Sequence, residues 1–186
     1  MNFLEVLGWT GTLLYLINHG YISFYNNWNK TIYYSGNGVA AILLIITSLA
    51  IGSWQAVIIN LFWAAISARF LIGIVVKRPI ITKQYFEYLL VLMISIALIS
   101  IFLFPNWTFS ILGWSSVWAF CIGYLLFSSN HLLPRYYFLY SAYAAIALLP
   151  QLWLDLNMAV FFLEIIWAMM SLYAAIKRFA QIHIID

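Results

Sequence analysis

The chain has 186 residues, 66% of them hydrophobic and 7% charged, with a formal net charge of +3 and aromatic side chains at 19%. A soluble domain carries charge on roughly a quarter of its residues, so this composition excludes a water-soluble globule and places the chain in a lipid bilayer. The small positive excess is then loop charge rather than a nucleic-acid footprint. A single cysteine, Cys121, leaves no disulfide framework and no cysteine metal site.

A helix needs about 20 apolar residues to cross a membrane, and seven stretches qualify. The opening MNFLEVLGW has no basic region and carries Glu5, so the first stretch reads as a retained span rather than a signal peptide. Span 1 runs from Asn2 to Tyr25 and is broken by the polar loop Asn26 to Lys30. Span 2 covers Thr31 to Ile51, with Gly36, Gly38, Ala40 and Ala41 permitting close helix contact. Gly52-Ser53 makes a short turn into span 3, Trp54 to Val76, which the basic loop Lys77 to Lys83 follows. Span 4 runs from Tyr85 to Phe104 and stops at Pro105, and span 5 covers Phe109 to Phe127. Span 6 begins at Pro134, a favoured first-turn position, and ends near Trp153; span 7 covers Leu156 to Ala175. One side of this topology holds Glu5 and Asp155 and no base. The other holds Lys30, Lys77, Arg78, Lys83, Arg135, Lys177 and Arg178. The positive-inside rule makes the basic side cytoplasmic, the N-terminus outside and the C-terminus inside. The short loops point to a bacterial inner membrane.

The sequence repeats. Ala56 to Ser67 reads AVIINLFWAAIS, and Val160 to Ser171 reads VFFLEIIWAMMS. Asn60, Trp63 and Ser67 share one helical face, and Glu164, Trp167 and Ser171 stand at the same places 104 residues on. Leu7-Gly8-Trp9-Thr10 is matched by Leu112-Gly113-Trp114-Ser115, and Ala40 to Leu44 by Ala145 to Leu149. Spans 1–3 and 5–7 are thus expected to be copies of one unit. Three spans reverse the side of the chain and span 4 restores it, so both copies enter from the same side. The expected fold is all-α and integral to the membrane: seven transmembrane helices, with two parallel three-helix repeats joined by an inverting linker helix. Residues 1–76 form the first unit, 77–108 the basic loop and linker span, and 109–186 the second unit and a short tail.

This 3+1+3 plan resembles the SWEET/SemiSWEET (MtN3-like, PQ-loop) superfamily and the PnuC-type transporters. In length and segment pattern it is most similar to the YgjV-like inner-membrane proteins. In SWEET-type transporters an asparagine on the third helix of each unit faces the substrate; the resemblance puts Asn60 in that role and Glu164 in its partner's. The family's prolines in the first two helices of each unit have no counterpart in spans 1–3, and Pro150-Gln151 closes span 6. Rocking motion would therefore draw on glycines such as Gly36, Gly38, Gly113 and Gly123.

Glu164 stands about eight residues into span 7, roughly 12 Å below the surface at 1.5 Å per residue. A carboxylate at that depth is costly unless paired, wetted or protonated, which reads either as a site for a proton, cation or amine, or as a neutral acid binding a neighbouring helix. Asn60 lies at matching depth across the repeat axis, and Trp63 and Trp167 one turn deeper, where rings could enclose a solute. Asn37, Ser67 and Ser171 complete the expected substrate-binding set, with Glu164 and His19 as a proton relay. Arg69 reads as a snorkelling anchor. Phosphate loops, HExxH and Gly-x-Ser-x-Gly motifs are absent from the sequence, so neither catalysis nor a metal or other cofactor is expected. The reading is a transporter of a small polar or cationic solute, working by alternating access with the bilayer and solute as partners, no nucleic acid, and self-association left open. The alternative is a non-transporting scaffold, assembly factor or sensor.

Overall fold

The computed structural model describes residues 2–74 and 79–180. It contains seven α-helices and, among the described residues, no strand. They are α1 (Phe3–Phe24), α2 (Lys30–Ile51), α3 (Trp54–Leu71), α4 (Lys83–Leu103), α5 (Thr108–Ser128), α6 (Pro134–Leu154) and α7 (Met158–Ala180), with a 3₁₀ turn at Pro105–Trp107 before α5. Six of them, α2 to α7, are long and apolar enough to cross a membrane. The first expected span exists as a helix but falls outside those six, because Thr10, Thr12, Asn18, His19 and Ser23 dilute its hydropathy. The third expected span is shorter than its sequence suggested: α3 stops at Leu71, and Gly73 turns the chain at φ 79°. Lys77 and Arg78 of the basic loop, and the tail beyond residue 180, lie outside the described residues.

Local chemistry sets the helix ends. Asn2 and Glu5 form a reciprocal capping box on α1, with Glu5 N–H donating to Asn2 Oδ1 at 2.8 Å and Asn2 N–H to Glu5 Oε2 at 3.1 Å. Asn29 caps α2 and Thr82 caps α4 through the side chain alone, accepting from Ile32 N–H and Tyr85 N–H. Pro134 opens α6 with no amide to orphan.

Short connections make sequence neighbours pack side by side. Helices α1, α2 and α3 pack in succession, as do α5, α6 and α7. The two series join where α3 meets α5 and where α7 meets α1, which closes a ring of six. Helix α4 stands outside the ring against α5, with Phe86 buried between Trp118 and Tyr140. At that end Glu87 accepts from the Tyr140 hydroxyl and lies 3.5 Å from Lys83 Nζ. Helix α4 is also the most apolar of the six, with a mean hydropathy of 2.5.

The duplicated pattern is legible in the packing. A side chain at Gly8 of α1 would meet Thr47 of α2 and Ala159 of α7. A side chain at Gly113 of α5 would meet Gln151 of α6 and Gln55 of α3, the residues 104 positions from those two. Both turns before the third helix also share one backbone state: Gly52 has φ 74° and Leu156, 104 residues on, has φ 55°. Left-handed backbone costs a residue with a Cβ about 1–2 kcal/mol. Nothing lies within 4 Å of a Cβ built on Gly52, so Gly52→Ala should lose about 1 kcal/mol through the backbone alone. Leu156→Gly should stay within about 0.5 kcal/mol of the parent, since relief of strain is offset by a freer unfolded chain. Thermal unfolding of the two variants in detergent checks this asymmetry.

Candidate functional site

Asn60 and Glu164 enter the interior from α3 and α7, and the structure brings both to the wall of one small cavity of about 20 Å³. Tyr15 of α1 and Phe120 of α5, themselves 105 residues apart, line it with Trp63 and Trp167. These four rings interlock. Trp63 and Trp167 have centroids 5.0 Å apart. Tyr15 meets them edge-on at 5.4 and 6.0 Å, and Phe120 does so at 5.7 and 6.3 Å. Each such pair contributes about 0.5–1.5 kcal/mol beyond its buried area, so the cluster is a firm plug. The cavity beside it has room for a single water-sized group.

Its polar chemistry is incompletely paired. Asn60 Nδ2 donates back to Ala56 O at 2.8 Å. Glu164 is 6% exposed, and its Oε2 has no hydrogen-bond partner among the described residues. The Tyr15 hydroxyl and the Trp63 indole N–H, on the same cavity wall, also lack partners. Buried polar groups are nearly always satisfied, so three unpaired groups on one wall make this cavity the candidate site; the Tyr33, Tyr137 and Ser67 hydroxyls, outside it, are also unpaired among the described residues. Trp167 differs from its twin: its Nε1 donates to Ser141 Oγ at 2.7 Å.

The remaining sequence candidates lie deeper, toward the basic end, outside the cavity wall. His19 is fully buried, stacks on Trp167 at 3.5 Å and bonds through Nε2 to Ser171 Oγ at 2.8 Å. Across the ring Tyr124, 105 residues after His19, lies 4.8 Å from Trp63. Asn37 of α2 donates to the Tyr124 hydroxyl at 3.1 Å and accepts from Asn18 at 3.2 Å. Ser67 is fully buried one turn below Trp63. Each half of the interior thus takes its third helix from one series and its first from the other, so α3 faces α5 and α7 faces α1.

The two ends differ. At the acidic end the series are tied together: Ser53 Oγ donates to Asp155 Oδ2 at 2.6 Å, Asn157 Nδ2 to Ser48 Oγ at 3.1 Å, and Thr12 Oγ1 to Ala159 O at 2.8 Å. Gln151 also donates to Asp155 Oδ1 at 2.7 Å. At the basic end an open pocket of about 470 Å³ lies between the helix ends. Sequence reasoning named Arg69 an anchor; it donates to Ser128 Oγ at 3.3 Å, across the α3–α5 seam. It missed Tyr15 and Phe120, although their spacing of 105 was a usable signal. It also missed the Ser53–Asp155 tie, for which no pattern in the sequence stood out.

A family model matches residues 4–78 and again residues 109–181, so each match takes in one three-helix series and the interval between them holds α4. No curated protein and no solved structure matches the chain.

Glu164 gives a direct test of what its burial means. A carboxyl group left without a partner destabilises by about 1–3 kcal/mol. Glu164→Leu should therefore raise the melting temperature of detergent-purified protein. A lower value would mean that the acid holds helices together, as a purely structural scaffold requires.

Proposed function

The chain belongs to that family and carries its unit twice, and on this premise we propose that it moves a small polar solute across a membrane by alternating access. In this reading residues 1–76 and 109–186 are two parallel three-helix units. Helix α4 is the linker that lets both enter from the same side, and all seven helices span the bilayer. The basic end faces the cytoplasm of a bacterial inner membrane and the N-terminus faces outward. The same 3+1+3 plan underlies the likeness to SWEET and PnuC-type transporters.

The observation that carries the reading is the cavity between Asn60 and Glu164, lined by equivalent residues of both units, three of which carry an unpartnered polar atom. At about 20 Å³ it is collapsed around the four rings, so a solute reaches it only when the units separate. The conformation has the features of one state of such a cycle: ties at Ser53–Asp155 and Asn157–Ser48 close the outer end, and the pocket at the inner end is open. Glu164 meets the solute, and with His19 it offers a route for a coupled proton. A neutral polar solute fits better than a cation, because Lys30, Arg135 and Arg178 line the mouth.

The test uses proteoliposomes and a panel of labelled small metabolites. Glu164→Gln should fold normally yet lose uptake, or lose its dependence on a proton gradient. Normal uptake with unchanged pH dependence would remove Glu164 from the mechanism. Ser53→Ala with Asp155→Asn should weaken the outer closure. Labelling of a cysteine placed at Ala56, on the cavity wall, by an outside thiol reagent should then rise several-fold over the same cysteine in the parent.

A further inference from the structure

We infer that the pocket at the basic end is a binding site for a small anion, a phosphate or carboxylate group carried on an apolar body. Three cationic side chains line it from three helices: Lys30 of α2, Arg135 of α6 and Arg178 of α7. No carboxylate lines it among the described residues. Two of the three sit where a cation is least welcome. Lys30 is the first residue of α2 and Arg135 the second of α6, and a helix N-terminus already carries positive partial charge. Two helix N-termini and three cations around one opening make a field that an anion relieves.

The donors are not used up. Arg178 spends three of its N–H groups on the carbonyls of Ile22, Ser23 and Ala174, at 2.9, 3.1 and 3.2 Å, and a guanidinium has five. Its plane also lies 4.5 Å over Phe138, which fixes it at the wall. Four aromatic side chains of the wall, Trp28, Tyr34, Phe127 and Phe138, suit a flat or greasy body, and Asn26, Ser128 and Asn130 add neutral polar groups. At about 470 Å³ the space is that of a metabolite-sized ligand. Such an anion has two sources, a soluble organic anion of the cytoplasm or the headgroup of an anionic lipid. The inference concerns occupancy of the pocket and stands apart from what Glu164 does.

The experiment measures saturable binding to the whole protein in neutral detergent at low salt. The soluble probes are phenyl phosphate, benzyl alcohol and benzylamine; the lipid probes are dioctanoyl phosphatidylglycerol and dioctanoyl phosphatidylcholine. The comparison is the double variant Lys30→Gln/Arg135→Gln. Removing cations from two helix N-termini should leave the fold intact, and an unchanged or higher melting temperature verifies that. Phenyl phosphate or phosphatidylglycerol should bind in preference to the uncharged, cationic and zwitterionic probes, and at least roughly tenfold more weakly to the variant. Preference for phenyl phosphate identifies a soluble ligand and preference for phosphatidylglycerol a lipid. Equal binding of benzyl alcohol or benzylamine, undiminished binding by the variant, or no saturable binding of either anion overturns the proposal. Glu164→Gln should bind both anions as the parent does, so failure of the transport reading leaves this result interpretable.

Discussion

Trp63 and Trp167 touch at the centre of the molecule, and the interior is arranged around that contact. Residues at equivalent places in the two matched segments come face to face here, so each must tolerate meeting its counterpart. Two indoles can, with Tyr15 and Phe120 set edge-on against them. Two buried carboxyl groups would meet there only by sharing a proton, since like charges at close range oppose ionisation. The amide at Asn60 opposite the acid at Glu164 is the arrangement that keeps one ionisable group in the middle without a twin to repel it.

The copies have kept their shape and parted in their polar chemistry. Alanines, glycines and tryptophans recur at matching depth, which is what close helix packing requires. Some hydrogen-bonding groups recur, as Ser67 and Ser171 do, but the ones around the two tryptophans differ: His19 has Tyr124 as its counterpart, and Ser141, which satisfies Trp167, has the amide of Asn37, which binds Tyr124 and leaves the Trp63 indole unpaired. A molecule selected for stability alone would have closed those gaps with apolar residues. Unsatisfied groups such as those of Tyr15, Trp63 and Glu164 are the kind of instability that proteins retain where they bind or react.

Helix number, helix order and the internal repeat were legible in the sequence, because apolar length and the Leu-Gly-Trp and polar-x-x-Trp anchors are local signals. The convergence of Asn60, Glu164, Trp63 and Trp167 was legible too, through their constant spacing. The low hydropathy of α1 was foreshadowed by Asn18 and His19, yet its length made it look like its neighbours. What was not legible depends on contacts between distant helices. Tyr15 and Phe120 look like any aromatics in a greasy run, and Asp155 looks like loop charge until Ser53 is seen 2.6 Å away. The pocket shared by Lys30, Arg135 and Arg178 was hidden because each residue, taken alone, satisfies the rule that bases collect on one side.

The ring closes through two seams, α3 against α5 and α7 against α1. In terms of the repeat each is a third helix meeting a first helix, so one pair of unlike faces is used twice, and the two seams together make a self-complementary pairing. A single unit therefore carries both the knob and the socket. Two separate copies of such a unit would close the same ring as a homodimer without any connecting segment. Fusion into one chain relaxes the demand that the two faces be identical, and that freedom is what allows an acid to stand opposite an amide.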